Sequence, residues 1–135
     1  MDCKEKDIRR KALGRKGEEI ACGMLRAKGF EILERNWRAV HKEIDIICRD
    51  GADLRFVEVK TRQEPVEGEP WEAVNEAKQR RIGSAAKAYI NSGILKEKGL
   101  HPDEYHFDVI TIVWDQSGEH FEQEYIPDAY ILIYA

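Results

Sequence analysis

Two short apolar stretches flank the loop Arg49-Asp50-Gly51-Ala52-Asp53, and each carries charge where a buried strand has no use for it. The first is Glu43-Ile44-Asp45-Ile46-Ile47 and the second is Phe56-Val57-Glu58-Val59-Lys60. Runs of β-branched and aromatic residues on either side of Asp-Gly specify a β-hairpin. Side chains alternate along a strand, so Glu43, Asp45 and Ile47 share one face of the first, and Leu54, Phe56, Glu58 and Lys60 one face of the second. With residues 50 to 53 as the loop, Arg49 pairs with Leu54 and Asp45 falls opposite Glu58. A two-residue turn at Asp50-Gly51 keeps the acids on one face, offset by two residues, whereas one at Gly51-Ala52 is expected to separate them. Like charges at cross-strand distance repel unless a cation lies between them.

A chain of 135 residues is long enough for one well-packed domain, taken here as 1–135. No apolar run approaches the roughly 20 residues that cross a bilayer, and the start Met-Asp-Cys-Lys-Glu-Lys lacks a signal-peptide core. A cytoplasmic protein without membrane contact is the expectation. The three cysteines show no CxxC spacing, so Cys22 and Cys48 are expected as small buried apolar residues. The net charge of -4 hides an asymmetry. Residues 1–40 carry 11 Lys/Arg against 7 Asp/Glu, residues 41–100 carry 11 of each, and residues 101–135 carry 8 acids and no Lys or Arg. A positive first third can face phosphate, although Lys and Arg mixed with Glu along a helix also make an ordinary solvated face.

Helical periodicity in Gly17, Ala21, Cys22, Met24 and Leu25 specifies a helix over about 6–28, stopped by Gly29, with Gly14 and Gly17 allowing a break near 14. A strand is expected over 31–38, then the hairpin of 43–48 and 54–61, then a Pro- and Gly-rich loop over 63–70. A second helix is expected over about 71–91, with Val74, Ile82, Ala85, Ala86, Tyr89 and Ile90 inward and Gly93 as its stop. Strands over 105–114 and about 120–126 follow, for the order αβββαββ in a mixed α/β domain. Glu18 shares a helix face with Ala21, Cys22 and Leu25 and so can reach the sheet, whereas Glu19 faces away with Gly23 and Arg26. Lys78 lies one turn before Ile82, so its amine can extend over the same surface or rest in a solvated salt bridge.

Six blocks, Gly14-x-x-Gly17-Glu18-x-x-Ala21, Asn36-Trp37-Arg38, Glu43-Ile44-Asp45-Ile46-Ile47, Phe56-Val57-Glu58-Val59-Lys60-Thr61-Arg62, Lys78-x-x-Arg81-Ile82 and Phe107-Asp108-Val109, together resemble the YraN-like family. That family is itself similar to Holliday-junction resolvases of the restriction-endonuclease-like PD-(D/E)XK superfamily. The chain departs from the pattern at His41-Lys42, where the family tends to have Gly, and at His106, where an Arg is usual. The resemblance implies a restriction-endonuclease-like mixed sheet flanked by helices, and a divalent-metal-dependent endonuclease acting on branched or structured DNA in recombination or repair. It implies Mg²⁺ or Mn²⁺ held by Asp45, Glu58 and the Val59 carbonyl, completed by Glu18 directly or through water, with Lys60 orienting or helping to deprotonate the attacking water.

Arg15, Lys16, Arg38, Arg62, Lys78 and Arg81 are candidate phosphate contacts, and Trp37 between Arg35 and Arg38 a candidate for stacking on a base. Junction resolution requires two strands to be cut, so a homodimer is the matching expectation. His41 is a candidate DNA contact or simply exposed, and Asp108 a secondary ligand or a pin for the second helix. A lone salt bridge of Lys60 with Asp45 or Glu58 is the alternative at the hairpin. Two other functions stay open: a non-catalytic nucleic-acid-binding accessory factor that keeps the nuclease fold, and an α/β interaction protein using its acidic final third.

Overall fold

The hairpin around Asp50-Gly51 forms the middle of a five-stranded sheet. In the computed structural model, which describes residues 2–65 and 76–129, the elements are α1 (Cys3–Ala27), β1 (Glu31–Ala39), β2 (Lys42–Asp50), β3 (Asp53–Gln63), α2 (Glu76–Asn91), α3 (Ile94–Glu97), β4 (Tyr105–Trp114) and β5 (Phe121–Ile126). The expected αβββαββ order holds, with the one-turn α3 as an addition. The sheet order is β1-β2-β3-β4-β5. All neighbours are antiparallel except β3 and β4, which run parallel because α2 carries the chain back over the sheet between them. Val74 and the rest of residues 66–75 lie outside the described residues.

Local chemistry sets the ends of α1. Asp2 caps it by accepting the Glu5 N–H at 2.8 Å. At its C-terminus Gly29 adopts φ 87°, and the Phe30 N–H returns to the Leu25 carbonyl at 3.1 Å. The helix runs unbroken through Gly14 and Gly17. Gly17 serves packing: a Cβ there would lie 2.3 Å from Thr61 Oγ1, so its absence lets α1 cross close over β3.

The sheet is covered on both faces. On one, Leu13, Ala21, Cys22 and Leu25 of α1 pack on Ile46, Cys48, Val57, Ile110, Ile112 and Trp114. On the other, Ala85, Ala86 and Tyr89 of α2 pack on Ile44, Ile47, Leu54, Phe56 and Phe107. Phe56 stacks on Phe107 with centroids 5.3 Å apart, and Tyr89 meets Phe56 edge-on at 6.2 Å. Full burial of side chains this large contributes about 1.5–3 kcal/mol each. Cys22 and Cys48 are buried as expected, and burial pushes the Cys48 thiol up to about 12.

The hairpin turns at Gly51-Ala52 with Asp50 paired to Asp53. This corrects the expectation that such a turn separates the two acids. Arg49 still pairs with Leu54 and Ile46 with Val57, because pairing residues 50 and 53 merely extends the same ladder by one step. The true departure from simple alternation lies in β2, where Ile44 packs toward α2 and Ile46 toward α1. Asp45 sits at this slip. The facing stretch of β1, where Arg35 pairs with Ile46 and Trp37 with Ile44, has Asn36 at φ 51°. A left-handed residue bends the edge strand there, and asparagine tolerates that conformation better than most.

Candidate active site at the sheet edge

Beyond Ile46 and Val57 the regular pairing of β2 with β3 stops, and side chains take over. Asp45 Oδ2 accepts the Val59 N–H at 2.8 Å. Glu58, the next residue along β3, points to the α2 side with Lys60, as period-two alternation requires. Its Oε1 receives Lys60 Nζ at 3.1 Å and Lys78 Nζ at 2.7 Å. The side chain of Glu58 is 13% exposed, and its Oε2 is buried with no hydrogen-bond partner among the described residues. Lys78 thus extends from α2 over this surface, in a shielded ion pair rather than a solvated one.

A cleft of about 600 Å³ opens here, bordered by Asp45, Glu58 and Lys78 on its floor and by Arg38, His41 and Arg81 at its rim. Asp45 is pushed up to about 7. Burial is the main cause; the Val59 N–H opposes it, and the charges of Glu58, Glu18 and Glu43 add to it. Glu18 approaches from the opposite side of the sheet. It accepts Asn36 Nδ2 at 3.3 Å and borders two cavities on the α1 flank, one with Arg15, Lys16 and Arg35, the other with Val59 and Thr61. Asp45, Glu58, Lys60 and Lys78 therefore gather on one side, with Glu18 near enough to raise the proton affinity of Asp45 from the other. Arg62 lies apart, lining a third cavity along α1. Trp37 packs its ring edge-on against Tyr89, centroids 5.2 Å apart, as part of the α2-side core.

The carboxylates of Glu18, Asp45 and Glu58 are not drawn in to metal-ligand spacing. Among the described residues, the one trio of His, Cys, Asp or Glu ligand atoms within 4.8 Å of one another is Asp53, Glu104 and His106, at the other end of the hairpin. There the imidazole is taken up on both nitrogens, by Asp128 at 2.6 Å and Asp53 at 2.9 Å. Two carboxylates facing both ring nitrogens call for an imidazolium that donates to each, which leaves no lone pair for a metal. Burial lowers the His106 pKa, but the bonds to Asp53 and Asp128 outweigh it and the net shift is upward. Asp108 belongs to the adjoining network: fully buried, it accepts Arg55 Nη1 at 3.1 Å on both oxygens, the Tyr125 hydroxyl, and the Asp128 N–H at 2.8 Å. Its partners tie β3, β4 and β5 together, which is neither the metal ligand nor the helix pin considered above. Nothing local in the sequence marked His106, Asp128, Arg55 and Asp108 as one unit, because they meet only when β3, β4 and the end of β5 are side by side.

No helix among the described residues is long and apolar enough to cross a membrane. The model of the uncharacterised protein family UPF0102 matches residues 17–112, a span that includes Glu18, Asp45, Glu58, Lys60 and Lys78. The chain is 41% identical to a UPF0102 protein of Dictyoglomus turgidum over 89% of its own length and 98% of the relative's. It is 45% identical to one of Syntrophotalea carbinolica, over 90% and 93%, and 42% identical to one of Geobacter metallireducens, over 94% and 98%. Matched along most of its length by the family model and nearly end to end by these relatives, the chain belongs to the UPF0102 family.

Proposed function

We propose that this protein is a divalent-metal-dependent endonuclease of the PD-(D/E)XK kind, acting in the cytoplasm on branched or otherwise structured DNA during recombination or repair. The observation that carries this reading is the placement of Asp45, Glu58 and Lys60 at the point where β2 and β3 part, beside an open cleft bordered by Arg38 and Arg81. A structural ion pair at a sheet rim needs neither a second carboxylate held at a raised pKa nor an unpartnered buried oxygen on Glu58. Both fit a site short of a cation.

Mg²⁺ or Mn²⁺ would be held by Asp45 and Glu58 with the Val59 carbonyl beside them, Glu18 completing the site through a water from across the sheet, and would supply Lewis acidity at the phosphoryl group and an acidified water. The Val59 N–H fixes the Asp45 carboxylate in direction. Lys60 and Lys78 neutralise Glu58 and hold their ammonium groups beside the place where charge would develop on the phosphoryl oxygens. Lys60 also orients the attacking water or helps to deprotonate it in this reading. Arg38, His41 and Arg81 at the rim suit contacts to flanking phosphates, which position a strand without reading its sequence. Cutting two strands of a junction matches a homodimer.

One observation favours a second reading, a nucleic-acid-binding accessory factor without catalysis: Glu58 is already paired with two lysines. Incubation of duplex, flap, single-stranded and four-way DNA with the protein and Mg²⁺ or Mn²⁺ separates the two. Cleavage by wild type, lost in folded Asp45→Asn, Glu58→Gln and Lys60→Ala, supports the nuclease. Binding by all four proteins with no product from any substrate supports the accessory factor.

A further inference from the structure

The cations of the N-terminal half of α1 line a groove separate from the cleft. Between this half-helix and the end of β3 lies a cavity of about 820 Å³, bordered by Lys6, Arg10, Arg62 and Gln116. A smaller one of about 310 Å³, bordered by Lys11, Arg15, Glu18 and Val59, continues along the helix. The two share Thr61, so together they run down the helix flank to Glu18, whose charge is felt by Asp45. Five cations, Lys6, Arg10, Lys11, Arg15 and Arg62, border this run, against Glu64 and Glu18 as its bordering acids. Arg9 also borders it but is occupied, donating to the carbonyls of Gln116 at 3.1 Å and Ser117 at 2.7 Å. Arg62 Nε is buried and has no hydrogen-bond partner among the described residues. The Arg62 side chain borders the groove, where a guanidinium suits the anionic oxygens of a bound backbone.

We propose that this groove holds the phosphodiester backbone of one nucleic-acid strand, continuing from the carboxylate site toward the N-terminus of α1. The inference rests on the nuclease reading and extends it by giving the strand a path across the α1 face. From Lys6 to Glu18 the helix rises about 18 Å, which matches about five phosphates of a stacked strand at about 3.4 Å each. Lys6, Arg10, Lys11 and Arg15 precede the span that the family model matches, so membership of the family does not supply them. The close crossing of Gly17 over Thr61 holds α1 at the distance that lets its cations and Arg62 border one groove.

The test measures binding apart from cleavage. Asp45→Asn protein is titrated, with a chelator present, against a fluorescein-labelled single strand and the matching duplex, and anisotropy is followed across a KCl series. The same is done after adding Lys6→Gln, Arg10→Gln and Arg62→Gln together, and in a control with Lys87→Gln, Lys96→Gln and Lys98→Gln. The groove variant is expected to bind at least tenfold more weakly at low salt, and to lose about 2–3 from the slope of log K against log salt. The control is expected to stay within twofold. The Lys6→Gln/Arg10→Gln pair, exposed on the helix, gives a smaller shift in the same direction without disturbing Arg62. A groove variant that follows the control overturns the proposal, even if the wild type cleaves DNA. A reduced slope beside a wild type that cleaves no substrate sustains the groove and removes the nuclease reading, and no binding by any of the proteins removes the groove whatever the wild type cleaves.

Discussion

Asp45 Oδ2 and the Val59 N–H, 2.8 Å apart, join β2 to β3 just where their backbone ladder ends at Ile46 and Val57. A carboxylate takes the place of a main-chain acceptor, so the strands stay joined while their backbones part and open the cleft. The bond draws the acid into a site whose burial and neighbouring carboxylates disfavour its charge.

This predicts a gain in stability when that charge is removed. The Asp45 pKa is raised from an ordinary 3.8 to about 7, so the folded state holds a proton that the unfolded state has released over that interval. Stability therefore falls as pH climbs from about 4 to 7, and above 7 the whole penalty applies. Asn keeps an oxygen to accept the Val59 N–H and carries no charge. Asp45→Asn is expected to be more stable than wild type by about 2–4 kcal/mol at pH 8, in the absence of divalent ions. The difference should vanish near pH 4. Urea denaturation at both pH values checks it, and equal stability at pH 8 would show that the carboxylate carries no such burden.

Removal of Lys60 should separate chemistry from binding. Lys60→Ala takes away one of two ammonium groups on Glu58 and leaves Lys78 to neutralise it, so the fold is expected to stand. Cleavage with Mg²⁺ or Mn²⁺ should fall by about 10²–10³-fold, while the affinity for uncleaved DNA changes less than threefold. Single-turnover rates and anisotropy together measure the split.

Gly17 should not accept a side chain. A Cβ placed 2.3 Å from Thr61 Oγ1 requires that side chain or α1 to shift, and Gly17→Ala is expected to cost about 1–3 kcal/mol. Thr61→Ala removes the hydroxyl and methyl it would strike, so the double variant should recover much of the loss. A double-mutant cycle by thermal melting gives the coupling, and simple additivity would show that the crossing is not tight.

Stability should also respond to His106. Its pKa is raised above 6.5 because the bonds to Asp53 and Asp128 outweigh burial and the repulsion of Arg55, with Glu104 also facing the ring at 3.8 Å. A raised pKa stabilises the fold below pH 6.5, and that contribution is lost as pH rises through the folded value. In an Asp45→Asn background, which removes the shifted carboxylate, the melting temperature should drop between pH 6 and 8. His106→Gln should flatten that drop. A slope unchanged by His106→Gln would show that the imidazole is not the bridging cation.

Sequence alone determined the features that depend on near neighbours. Period-two alternation in β3 placed Glu58 and Lys60 on one face, Asp-Gly located the hairpin, and Gly29 stopped α1, because strand pleat, turn geometry and helix caps are set within a few residues. The charge excess of the first 40 residues marked a basic surface, though not that Lys6, Arg10 and Arg62 border one groove. Tertiary structure alone decided the rest. The slip of β2 at Asp45 lies opposite the left-handed Asn36 of another strand, the grip of Lys78 on Glu58 depends on how α2 lies over the sheet, and the Arg55–Asp108–Tyr125 network on three strands coming into register. Burial, and with it the proton affinity of Asp45, exists only once both faces of the sheet are covered, since desolvation is a property of packed surroundings and not of a residue's place in the chain.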